Sequence, residues 1–115
     1  MARGDIFLID IPYPHGAPGH EQAGKRPAVA VQADRIDPPL TTVIVVPFTA
    51  KLSALSQPHT FRVDPSPANG LDQPSVLLVS QLRTVDRRRI VHKLGTLEQH
   101  YLHRLDLEMR RLLDL

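Results

Sequence analysis

The sequence predicts a mainly β protein, a small and strongly curved antiparallel sheet or barrel carrying one C-terminal helix. Three observations predict it: six short apolar segments, turn residues recurring between them every 8 to 12 residues, and helical periodicity confined to residues 96–113. A length of 115 residues allows one domain, large enough to bury a core yet small enough for a tight dimer to add to its stability.

Residues 5–11 are nearly all apolar, β-branched or aromatic, which reads as a buried strand ended by Pro12. From Pro12 to Lys25, three prolines, three glycines and two histidines oppose regular structure and predict a long loop. A second strand is expected over 27–33, with Pro27 tolerated at its start, then a turn over 34–39. Thr41–Phe48 reads as the third strand, and Pro47 marks an edge or a bulge just before Thr49. Lys51–Ser56 is long enough for one helical turn, and residues 59–63 alternate like a half-exposed strand. After a loop over 64–70 come a buried strand over 75–82, a basic turn at 86–89 and a last strand over 90–94. Thr96 and Gln99 have the spacing of a capping box, and Tyr101, Leu102, Leu105, Met109, Leu112 and Leu113 form an apolar stripe.

The chain contains no cysteine, which excludes a disulfide framework, a thiolate metal site and a cysteine nucleophile. No leader-like segment or apolar run long enough to span a membrane is present, so a cytoplasmic protein is expected. Net charge is only +2, but Arg83, Arg87, Arg88, Arg89 and Lys93 crowd around the single acid Asp86. Such a run supplies sequence-independent attraction to nucleic acid, or is simply a solvated turn. The five aromatic residues, Phe7, Phe48, Phe61, Tyr13 and Tyr101, are too few for base-stacking platforms.

In Glu21–Val31 a polar, glycine-bearing loop leads to Arg26 at the mouth of an apolar strand. A guanidinium held there suits phosphate, and equally suits a salt bridge at a strand end. Together with Arg3-Gly4-Asp5-Ile6-Phe7-Leu8-Ile9-Asp10, Thr41–Leu52, Ser75–Asp86 and Lys93-Leu94-Gly95-Thr96-Leu97, in that order and spacing, this stretch resembles the MazF/PemK family of toxin endoribonucleases. The resemblance covers roughly residues 3–97. It implies an SH3-like, CcdB/MazF-like barrel of six or seven strands over about 3–95, a helix over about 97–113 and a homodimer. It also implies a type II toxin that cuts single-stranded RNA and is neutralised by an antitoxin with an acidic, partly disordered segment.

RNA brings its own nucleophile, the 2′-hydroxyl, so the chemistry needs a proton acceptor, a proton donor and groups that stabilise the phosphorane, with no cofactor and no metal. The resemblance makes Arg26 and Thr49 the catalytic pair. Glu21 is a candidate proton acceptor or positioner of the guanidinium. His20, Lys25, Lys51, Gln81, Arg83, Arg87 and Arg88 are the candidate RNA contacts. His20 and Ala50 depart from the small hydroxyl residues that the family commonly carries, and His20 reads either as an added acid or base or as a selector of RNA sequence. His100 and His103 lack a third local ligand for zinc. Two other classes stay open: a CcdB-like toxin that binds gyrase and does no chemistry, and a barrel that binds RNA through 83–93 without cutting it.

Overall fold

The computed structural model describes residues 1–11, 24–36 and 38–115. The strands are β1 (Asp5–Ile11), β2 (Gly24–Ala30), β3 (Thr42–Thr49), β4 (Thr60–Val63), β5 (Ser75–Leu78), β6 (Arg83–Asp86) and β7 (Ile90–Thr96), followed by α1 (Gln99–Leu113). All pairings are antiparallel and run β4-β5-β3-β2-β1-β7, with β6 also beside β3. No ladder closes this path among the described residues. Instead β6 and β7, joined by the 3₁₀ turn Arg87–Arg89, pair with β3 and β1, so the chain itself rolls the sheet into a barrel-like form.

Both faces of the sheet are buried, which explains the nearly unbroken apolar runs of β1 and β3. Ile6, Val29, Val46 and Phe48 join Leu77 and Leu105 of α1 in one cluster. Neighbouring residues of opposite direction, Phe7, Ile9, Ala28, Ala30, Val43 and Val45, form the second. The helix lies against the first cluster through Tyr101, Leu102, Met109 and Leu112, whereas Leu113, assigned to the apolar stripe by spacing, is half exposed.

Three expectations need correction. Residues 75–82 are not one strand: β5 ends at Leu78, a 3₁₀ turn takes Val79–Gln81, and β6 starts at Arg83. The cause lies across the sheet, because β3 pairs with β6 through Thr42–Val45 and with β5 through Phe48 and Thr49, leaving Val46 and Pro47 opposite the turn. Pro47 has no N–H, so the interruption falls where a ladder bond is already missing. Secondly, β2 begins at Gly24, so Lys25 and Arg26 lie within the strand and Pro27 is internal. Finally, the Thr96–Gln99 capping box does not form. Thr96 ends β7 and its hydroxyl donates to Asp5 at 3.2 Å, while Glu98 is the N-cap and makes no side-chain cap.

Candidate functional site

Arg26 and Thr49 come together by strand register. In β2–β3 the last paired residues are Ala28 and Pro47, and continuing that register past them sets Arg26 opposite Thr49 on the same face. Pro27, the next residue of β2, has no N–H to give β3, so the ladder ends at the Ala28–Pro47 pair. Past that pair is a cleft of about 110 Å³ lined by Lys25, Arg26, Pro27, Phe48, Thr49 and Ala50 from the strand ends. Its far wall is Leu71, Asp72, Gln73 and Ser75, from the loop entering β5.

Arg26 is half-buried and anchored from behind by pairing with Ile9 of β1. Thr49 is 3% exposed, and its hydroxyl accepts the Lys51 backbone N–H at 3.3 Å. A buried hydroxyl fixed as acceptor has its own hydrogen left to give. The Lys51 side chain is exposed just beyond. Gln81 lies in the 3₁₀ turn facing the Pro47 gap, and Arg83, paired with Val45, is on the same sheet face as Arg26.

The basic turn is elsewhere. Asp86 pairs with Thr42, at the opposite end of β3 from Thr49, about 23 Å along an extended strand. There the Arg87 Nε donates to the Leu40 carbonyl at 2.8 Å, and Arg88 makes a two-pronged ion pair with Asp86. That pairing lowers the Asp86 carboxyl below its ordinary range. Two larger depressions, of about 330 and 560 Å³, meet at Leu40 and Arg87. Lys93, counted with the basic run, pairs with the buried Asp5 at 3.3 Å. Glu21 and His20 lie outside the described residues, as does most of the 12–25 loop.

Sequence reasoning missed two features. Asp72 and Gln73 share the cleft with Arg26, but nothing local marks a loop acid as a wall of a site 46 residues away in sequence. Glu108 is buried, with His59 Nδ1 at 3.1 Å, Arg111 at 3.2 Å and Arg104 at 3.3 Å. Its signal was legible, since Glu108 falls three residues after Leu105, inside the apolar stripe. Among the described residues no cluster of three or more His, Cys, Asp or Glu side chains is placed to hold a metal ion, and no helix is long and apolar enough to cross a membrane.

The chain is thus a small curved β-domain in which strand register brings an arginine and a buried threonine to one cleft. Over residues 2–113 the sequence matches the family described as PemK-like, MazF-like toxin of type II toxin-antitoxin system, and the chain belongs to that family. It is 36% identical over 94 residues to "Endoribonuclease MazF" of Staphylococcus saprophyticus, covering 82% of this chain and 75% of that one. Among solved structures it resembles MazF from Deinococcus radiodurans, with a TM-score of 0.78 at 20% identity, covering 100% of this chain and 97% of that one. It also resembles an endoribonuclease in complex with its cognate antitoxin from a mycobacterial species, with a TM-score of 0.75 at 16% identity, covering 100% and 96% of the two chains. Family membership favours the ribonuclease class over the gyrase-binding one.

Proposed function

We propose that this toxin is a sequence-specific, metal-independent endoribonuclease of single-stranded RNA, acting in the cytoplasm as a homodimer. The observation that supports it best is the meeting of Arg26 with the buried, oriented Thr49 hydroxyl in one cleft. The 2′-oxygen attacks the adjacent phosphorus, the O2′–P bond forms and the P–O5′ bond breaks. Glu21 takes the 2′-hydroxyl proton, and the departing 5′-oxygen gains a proton from solvent or from a protonated loop group. Arg26 and Thr49 stabilise the charge that grows on the phosphorane oxygens. The products are a 2′,3′-cyclic phosphate and a 5′-hydroxyl.

Lys25, Lys51, Gln81 and Arg83 hold nucleotides near the cut, with His20 from the 12–25 loop, and Arg87 and Arg88 hold a more distant part of the strand. The antitoxin blocks the same basic surface with an acidic, partly disordered segment, as opposite charge favours fast association. Mapping new 5′ ends on a long RNA incubated with the protein in EDTA tests the reading. Cleavage is expected, and a single deoxynucleotide immediately 5′ of the cut should abolish it. Cleavage of that deoxy substrate would sink the mechanism.

A further inference from the structure

We propose that Asp72 and Gln73 read the edge of a base flanking the scissile phosphate, selecting bases with an exocyclic amino group against uracil. The inference rests on the ribonuclease reading and deepens it.

The cleft has two chemically different ends. Arg26 and Thr49 suit a phosphate, whereas Asp72, the only acid among its described lining residues, would repel one. A carboxylate is an acceptor only, so the ligand group that faces Asp72 must be a donor. Pro27 and Leu71 give the intervening surface an apolar character that suits the face of a base. At about 110 Å³ the cleft is well below the roughly 300–1,000 Å³ of drug-sized pockets, so it admits part of one nucleotide rather than a strand. Unpaired bases in RNA are read on such exposed edges, and carboxylates select amino groups.

A reading group must also be held still, and the loop that presents this pair is fixed at both ends. Asn69 is fully buried. Its Oδ1 accepts the backbone N–H groups of Ser66 at 3.1 Å and Leu71 at 3.0 Å, while its Nδ2 donates to the Asp64 carbonyl at 2.9 Å. Gly70, at φ +70°, lies so close to the Leu94 backbone that an added Cβ would collide with the Leu94 carbonyl. Leu71 is buried in the core, and the Ser75 hydroxyl holds the Gln73 carbonyl at 3.0 Å. Asp72 and Gln73 are thus exposed side chains on an immobilised backbone. Uracil offers one N–H between two carbonyl acceptors, a poor match to a carboxylate. Guanine, cytosine and adenine each present an amino group.

The test is digestion of a random-sequence RNA pool by the parent protein and by Asp72→Asn, sequencing the ends and comparing base frequencies beside the cut. The parent should disfavour uracil about tenfold at one flanking position. Asp72→Asn, with a melting profile like the parent's, should reduce that bias below about threefold, read as the ratio of cutting at amino-bearing to uracil-containing sites. Identical base profiles, or an equal slowing at every sequence that would mark Asp72 as a proton acceptor, overturns the inference while leaving the ribonuclease reading intact. A parent that cuts no RNA overturns the ribonuclease reading, and this one with it.

Discussion

The Thr49 hydroxyl accepts the Lys51 backbone N–H, and this bond leaves the hydroxyl hydrogen free to be donated. One of its two lone pairs is engaged and its hydrogen remains available, so in the proposed mechanism the group donates to a phosphorane oxygen. Thr49→Ser keeps that donor and should retain most of the cleavage rate. Thr49→Val keeps the β-branched shape and loses the hydroxyl, so the rate should fall by about a hundredfold with the melting temperature little changed. Single-turnover cleavage and thermal melting of both variants check this.

In the proposed mechanism Arg26 meets the same phosphorane oxygens as Thr49, but carries charge. Arg26→Ala should lower the single-turnover rate by a factor on the order of a hundred or more while RNA affinity changes modestly, since the charge it meets is largest in the transition state. Arg26→Lys should recover only part of the loss, because an ammonium lacks the planar fork. A folded Arg26→Ala that cuts at the parent rate would remove this cleft from the mechanism.

The contrast between these residues and Asp72 shows what a linear sequence carries. Strand-forming composition made β1 and β3 legible, and the ordered segments around Arg26 and Thr49 carried the family likeness. That the two residues lie opposite each other follows from the β2–β3 register and from its ladder ending at Pro27, a relation between chain segments rather than within either. The break at Val79–Gln81 was hidden for the same reason: its local residues suit a strand, and the interruption is set by pairing with β3. Thr96 had capping-box spacing but is held as the last residue of β7 by Asp5. Tertiary pairing prevailed over a local signal worth about 1 kcal/mol.

The loop behind Asp72 should report on stability. Asn69→Ala leaves the Ser66 and Leu71 N–H groups and the Asp64 carbonyl without their side-chain partner, and should destabilise the fold by about 2–4 kcal/mol in urea titrations. Gly70→Ala should be comparably harmful because it combines positive φ with a backbone collision. An effect under about 0.5 kcal/mol for both would show the loop to be less fixed than its bonds imply.

Glu108 makes stability depend on pH. Burial raises its pKa, but the His59 hydrogen bond and the adjacent Arg104 and Arg111 outweigh burial and leave it below the ordinary 4.5. A carboxyl depressed in the folded state stabilises fully above its unfolded pKa and loses that contribution as pH falls through the folded value. The parent should therefore exceed Glu108→Gln by about 1–3 kcal/mol near pH 7, and the gap should shrink below about pH 4.5. Urea denaturation at several pH values measures it, and a gap constant down to pH 3 contradicts the assignment.

The separation of the basic turn from the cleft makes the effect of Arg87 and Arg88 depend on RNA length. They lie at the Thr42 end of β3, about 23 Å from Thr49, and each already has a partner in Leu40 or Asp86. An oligonucleotide long enough to fill only the cleft cannot reach them, whereas a strand of twenty nucleotides can. Replacing both with alanine should leave binding and cutting of a four-nucleotide substrate within about twofold of the parent. For the longer RNA, affinity should drop and the salt dependence should flatten by about one unit of slope for each phosphate no longer neutralised, while RNA already bound is still cut. Equal weakening for short and long RNA would mean that the turn acts through the general field of the protein rather than by touching the strand, and no weakening for either would remove it from the RNA path.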